Sequence, residues 1–193
     1  MRNLQIAYCK LRIIPHIWIM RKHQGMRPQD IVILLKIIVL GKKSWLNKDL
    51  AQSLYISGSE IGESLSRSEI ADLIDFNKKR VNRQGLFEFL EHGLHYVFPQ
   101  RPGTMMTGVP TAHGHTFIKQ FIEADLLYVW PDFKGESRGL SIEPFYPNQV
   151  KAIQEDAELY KLLALLDVIR VGRLREITIA IDELRNIILY EPQ

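Results

Sequence analysis

Residues 45–81 limit what this chain can fold into more than any other stretch. Leu50, Ala51 and Leu54 recur at helical spacing after Asn47, which predicts a short helix with Asn47 at its N-cap. Ser57 follows, with Glu60 three residues on, the pairing that closes a capping box at the start of a second helix. Ile61 and Leu65 mark that helix's buried side. At about 100° per residue, Ser59, Glu63, Ser66 and Arg67 lie opposite. Two helices this short, separated by three or four residues, fit a helix-turn-helix, with small Ala51 where the pair approaches closely. Gly62 costs the second helix about 1 kcal/mol relative to alanine.

After Ala71 the helical period lapses. Leu73-Ile74 predicts a short strand, Asp75-Phe76-Asn77 a turn and Lys78 to Val81 a returning strand, together a small wing. Lys78, Lys79 and Arg80, with Arg83 just beyond, form the densest basic cluster in the chain. A wing along a DNA groove sets such side chains on phosphates, giving affinity and salt dependence without base preference. The second helix would present Ser57, Ser59, Glu63, Ser66 and Arg67 to bases or their flanking phosphates. Its outward face holds one arginine against Glu63 and neighbouring Glu60. A carboxylate can accept from cytosine N4 but is repelled by phosphate, so the wing is expected to carry more of the affinity. The alternative is a helix-turn-helix used for protein contact.

The flanking elements predict a mainly α fold with a small β wing and an appended C-terminal helical region. Arg27-Pro28-Gln29-Asp30 opens a helix whose apolar face is Ile31, Leu34, Leu35, Ile38 and Val39, and Gly41 ends it. Asn82 caps a helix from Arg83 to about Val97, stopped at Phe98-Pro99. Residues 100–147 read as an irregular connection, with a helix over 117–127 and short extended pieces around the turn at 132–136. Asn148 caps a further helical stretch, and from Asp156 two amphipathic helices meet at Gly172, forming a hairpin or a dimerisation element. At that junction Arg170, Arg173 and Arg175 are expected to cap carbonyls and to pair with Asp167 and Glu176. The expected divisions are thus an N-terminal extension of poor order (1–25), a winged-helix unit (26–99), the connection (100–147) and the helical region (148–193). The basic, acid-free start could alternatively be a targeting or membrane-surface segment, and Met26 an internal natural start.

Charge separates along the chain. Residues 1–116 hold 16 Lys and Arg against 9 Asp and Glu, a balance of +7; residues 117–193 hold 9 against 13, a balance of −4. A basic first part suits a polyanion and an acidic second part a different task. The single cysteine, Cys9, permits no internal disulfide or cysteine-based zinc cluster, which fits a reducing cytoplasm. The longest apolar run, Ile31 to Leu40, is half a membrane span and contains Lys36, so no membrane helix is expected. His92 and His95, and His113 and His115, have no spacing that assembles a metal site, and no glycine-rich phosphate loop or nucleophile elbow occurs. The chain is therefore read as a non-enzyme without cofactor or metal.

From Met26 onward the sequence is similar to bacterial winged-helix proteins described as MarR-like regulators. The similarity lies in Arg27-Pro28-Gln29-Asp30, Ser57-x-Ser59-Glu60-Ile61, Arg80-Val81-Asn82-Arg83, Tyr96-Val97-Phe98-Pro99, Pro110-Thr111-Ala112-His113, Val129-Trp130-Pro131-Asp132 and Gly172-Arg173-x-Arg175-Glu176. Asp72 departs from it, standing where a glycine would usually turn the chain into the wing. The resemblance implies a cytoplasmic, homodimeric transcriptional regulator that binds double-stranded DNA and carries no catalytic residue. Some winged-helix proteins of this kind resemble antitoxins of nucleotidyltransferase-type toxins. That implies a second possibility, a module whose C-terminal region neutralises a partner protein.

Overall fold

The computed structural model describes residues 25–122 and 126–190, so the expected N-terminal extension and Cys9 lie outside the described residues. Its architecture is mainly helical with one small sheet. Two largely apolar helices, buried on most sides, form the centre: α1 (Pro28–Leu40) and α7 (Ala157–Val171). A helix hydrophobic all round must be covered all round. Ile31 to Leu35 are fully buried, not only the predicted face, because α7 packs on the side that the shorter helices leave open.

The amphipathic helices cover this pair. On α1 lie α2 (Asn47–Leu54) and α3 (Gly58–Ile70), which bury Leu50, Leu54, Ile61 and Leu65. Against α8 (Leu174–Leu189) and its stripe of Ala180, Leu184 and Ile188 packs α4 (Arg83–His92). The predicted helix from 83 to 97 divides at Gly93, and α5 (Leu94–Val97) continues it after a bend. Polar ties clamp the first half to the second: Lys36 to Asp156 at 2.6 Å, Asn148 to the Tyr55 carbonyl at 2.8 Å, and Arg185 to Glu91 at 3.2 Å. Residues 26–99 and 148–193 therefore share one apolar core.

Local chemistry sets the helix starts, with two departures from expectation. Leu46, not Asn47, is the N-cap of α2, since the Asp49 carboxylate accepts from the Leu46 amide at 2.8 Å. Ser57 caps α3 by accepting from Glu60 N at 3.2 Å. Glu60 does not complete the predicted box; its carboxylate turns to Arg27, Gln29 and Arg67. Tyr55, at φ 54°, makes the left-handed turn between α2 and α3. Asp72 turns the chain after α3 at φ 55°, a conformation aspartate tolerates better than most residues with a Cβ.

The sheet corrects the reading of 100–147 as irregular. It comprises β1 (Met105–Thr111), β2 (Tyr128–Pro131) and β3 (Ser137–Ser141), each paired with the other two. The first half of β1 runs antiparallel to β3 and its second half antiparallel to β2, while β2 and β3 are parallel. Gly108 is the pivot, opposite both Pro131 and Ser137. A Cβ there would stand 2.0 Å from the Trp130 carbonyl oxygen, so only glycine lets the strands close. Of the predicted helix over 117–127, the described residues hold a 3-10 turn at Ile118–Gln120.

Asp167 fastens the sheet to α7. Fully buried, it accepts from Thr111 Oγ1 (2.8 Å) and Trp130 Nε1 (2.7 Å), and pairs with Arg170 at 2.9 Å as the sequence predicts. Burial pushes its carboxyl up to about 6, although the charge of Arg170 and the hydrogen bonds from Thr111, Trp130 and Arg170 oppose the shift. Arg170 also lies over the Phe145 ring and donates to Gln100. Glu176, the other predicted acid, accepts from the Arg173 amide at 2.6 Å and lies 3.1 Å from buried His113.

Candidate nucleic-acid interface

The outward face of α3 carries no exposed cation. Ser57, Ser59 and Glu63 are exposed as predicted, beside Ile70. Arg67 is not. Its guanidinium turns inward and grips the buried Asp30 carboxylate at both ends, Nε at 2.8 Å and Nη2 at 2.7 Å. The same Nη2 reaches Glu60 at 2.8 Å. Asp30's hydrogen bonds hold this arginine charged well above its ordinary range. A side chain committed to the joint between α1 and α3 does not read bases. Ser66 is half-buried, donating to the Gly62 carbonyl and accepting from Lys78 Nζ at 2.8 Å.

Residues 73–81 form a tight hairpin closed by one bridge, Ile74 to Val81, in place of the two short strands expected there. The Asp75 carboxylate shapes its tip by accepting from the amides of Lys79 (2.7 Å) and Arg80 (2.8 Å). Those amides, the one of Arg80 first, hold Asp75 below the usual carboxylate range. Lys78, at φ 57°, turns toward α3 and pairs with Glu69 at 3.2 Å. Lys79 turns the other way: its ammonium donates to the Trp45 carbonyl at 3.0 Å and sits 3.9 Å from the centre of the Trp45 ring. The hairpin is thus held by one lysine on each flank.

Beyond Lys79 a cleft of about 820 Å³ opens between the end of α1, the connector to α2 and the returning strand of the hairpin. Lys42, Lys43, Lys79, Arg80 and Arg83 line it, with Trp45 and the apolar end of α1 behind them and, among the described residues, no carboxylate in the lining. Five cations around one opening suit a ligand with several phosphate charges. Arg83 is partly engaged, since its Nη1 donates to the Ile188 carbonyl of α8 at 2.8 Å. Of the predicted phosphate ligands, Lys79, Arg80 and Arg83 come together here, whereas Lys78 is drawn to α3. Sequence reasoning missed Lys42 and Lys43. Their signal was a basic pair just after the helix-ending Gly41, where a helix C-terminus gathers cations.

Elsewhere the histidines divide. His92 and His95 are exposed, whereas His113 and His115 are buried. Burial, with Lys161 nearby, pushes His115 down to about 4, and its Nδ1 accepts from the Phe117 amide at 3.2 Å. Among the described residues no three His, Cys, Asp or Glu side chains converge as a metal site, and no helix is long and apolar enough to cross a membrane. Comparison with protein-family models, with curated proteins and with solved structures gives no match for this chain.

Proposed function

We propose that the chain is a DNA-binding transcriptional regulator in which residues 26–99 act as a winged helix and the basic cleft holds the phosphate backbone. The observation that carries this reading is the cleft, where Lys42, Lys43, Lys79, Arg80 and Arg83 line one opening. In this reading α3 adds shape and a few polar contacts through Ser57, Ser59 and Glu63, and the hairpin supplies most of the affinity. Binding is then strongly salt-dependent and only modestly selective among sequences. The regulator works as a homodimer, with two such units meeting successive half-sites on duplex DNA.

The test is a salt titration with duplex fragments from upstream of the protein's own gene. Each phosphate contact contributes about −0.9 to the slope of log K against log salt. The variant Lys42→Ala/Lys43→Ala/Lys79→Ala/Arg80→Ala should bind weakly and lower the slope by about 3. An unchanged slope would remove the cleft from the interface.

A second reading, a module that neutralises a protein partner, has its own observation. Met105, Met106, Phe133, Pro144 and Pro147 line a groove of about 880 Å³ in the second half, where the Phe133 ring is 89% exposed. Lys134 and Lys151 flank it against one acid, Asp132, a positive balance that suits an apolar segment bearing carboxylates. Co-purification with the product of the neighbouring gene, lost in Phe133→Ala/Met106→Ala, would favour this reading over the first.

A further inference from the structure

The hairpin tip holds a feature that the phosphate contacts leave unused. Phe76 lies between Asp75 and Asn77 at the turn, and its ring is 85% exposed. A single exposed aromatic is ordinary on a protein surface. This one stands on an unusually fixed support. Its neighbour Asp75 holds two amides of the turn, and the backbone closes through Asp75 N to the Arg80 carbonyl at 2.9 Å and Lys78 N to the Asp75 carbonyl at 2.8 Å. Lys78 and Lys79 then anchor the two flanks to α3 and to the α1–α2 connector. A ring on so constrained a turn loses little further backbone freedom when it enters a partner.

What surrounds the ring indicates the partner. Lys79 and Arg80, close behind it in sequence, are cleft cations. Apolar side chains beside phosphate-gripping cations are the arrangement by which architectural proteins part a base step and kink a duplex. We infer that Phe76 is a wedge that inserts between stacked base pairs of the DNA held by the cleft. This rests on the DNA-binding reading. It makes the hairpin tip a deforming element, and it directs selectivity toward flexible pyrimidine–purine steps that no side chain of α3 needs to touch.

A wedge unwinds the duplex, so the readout can be independent of any known operator. Closed circular plasmid is relaxed by topoisomerase I at low salt with the full chain bound, and its linking number is read after the protein is removed. The wild type should shift the topoisomer distribution. Phe76→Ala should bind about tenfold more weakly, in the range of one lost base–aromatic contact. At concentrations that restore full occupancy it should produce no shift, and Phe76→Trp should recover it. Wild-type binding without a shift, or the same shift from Phe76→Ala, would overturn the wedge and leave the cleft reading standing. Failure of the wild type to bind plasmid or linear duplex would overturn both. An unchanged melting temperature in Phe76→Ala shows that the tip, not the fold, is responsible.

Discussion

Each half of the molecule buries one aspartate–arginine pair, and the two pairs do different work. In the first half Asp30 and Arg67 are 37 residues apart, on α1 and α3, and meet end-on through two parallel hydrogen bonds. In the second, Asp167 and Arg170 are one turn apart on α7 and spread outward, the acid to Thr111 and Trp130 of the sheet, the base to Gln100 and the Glu143 carbonyl. The first pair fixes the angle between two helices. The second is a peg that fastens a sheet to a single helix. A buried pair that joins elements far apart in sequence depends on both partners, whereas a local pair with several further donors degrades in steps.

The sharpest way to break this contrast is to remove one partner at a time. Asp30→Ala leaves buried Arg67 with only the partly exposed Glu60 and, at 3.7 Å, the exposed Glu63, and should cost about 3–5 kcal/mol in urea denaturation. Asp167→Asn keeps an acceptor for Trp130 and Thr111 while removing the charge facing Arg170, and should cost about 2 kcal/mol. If the two variants lost equal stability, the distinction between joint and peg would fail.

Acidity separates the second half further. Asp167 has a folded value of about 6, above its ordinary 3.8, so its contribution to stability is fully present below about 3.8 and is lost as pH rises through about 6. His115 runs the opposite way. Its folded value of about 4 lies below the ordinary 6.5, so its contribution is present above about 6.5 and is lost as pH falls through about 4. The two slopes oppose each other over the same interval. His115→Phe should lower stability at pH 7 by about 1 kcal/mol, for the lost acceptor of the Phe117 amide, and should flatten the acid limb of the melting curve. Asp167→Asn should remove the opposing slope, leaving a steeper fall in melting temperature between pH 6 and pH 4. The smallest effect on stability is expected at the cleft. The quadruple alanine variant there should melt within about 1 kcal/mol of the parent, most of it the Lys79 contacts to Trp45, while losing most of the salt-dependent affinity that the DNA-binding reading expects.

The caps and breaks were legible because each is a local rule acting on one or two residues. Ser57 and Asn82 cap where their types predict and Gly172 ends α7, whereas Asn47 lies inside α2 and the Asn148 side chain turns to the Tyr55 carbonyl. The sheet was legible only in part: the extended pieces expected around the turn at 132–136 are β2 and β3, but the strand that joins them was not seen. Its first strand contains Gly108 and Pro110, which read as loop residues, yet Gly108 is what lets three strands close on one another. Arg67 was misplaced for a different reason. Helical spacing gives the direction of a side chain but not what lies there, and here the N-terminus of α1 brings Asp30 against that side of α3. The lysines of the hairpin follow the same logic. Their sequence shows a cluster of charge, and only the fold separates Lys78, spent on Glu69, from Lys79 beside the cleft.

Arg83 belongs to both ends of the molecule. It lines the cleft, and it satisfies the Ile188 carbonyl near the last turn of α8, where helix carbonyls have no partner of their own. The occupant of the cleft and the order of the C-terminal helix are thereby thermodynamically linked through one guanidinium. A phosphate that draws Arg83 forward loosens that turn, and hydrogen exchange at residues 185–190 should quicken on ligand binding. The converse also follows: shortening the chain before Ile188 releases Arg83 from that carbonyl and should change the affinity of the cleft, some distance from the cut.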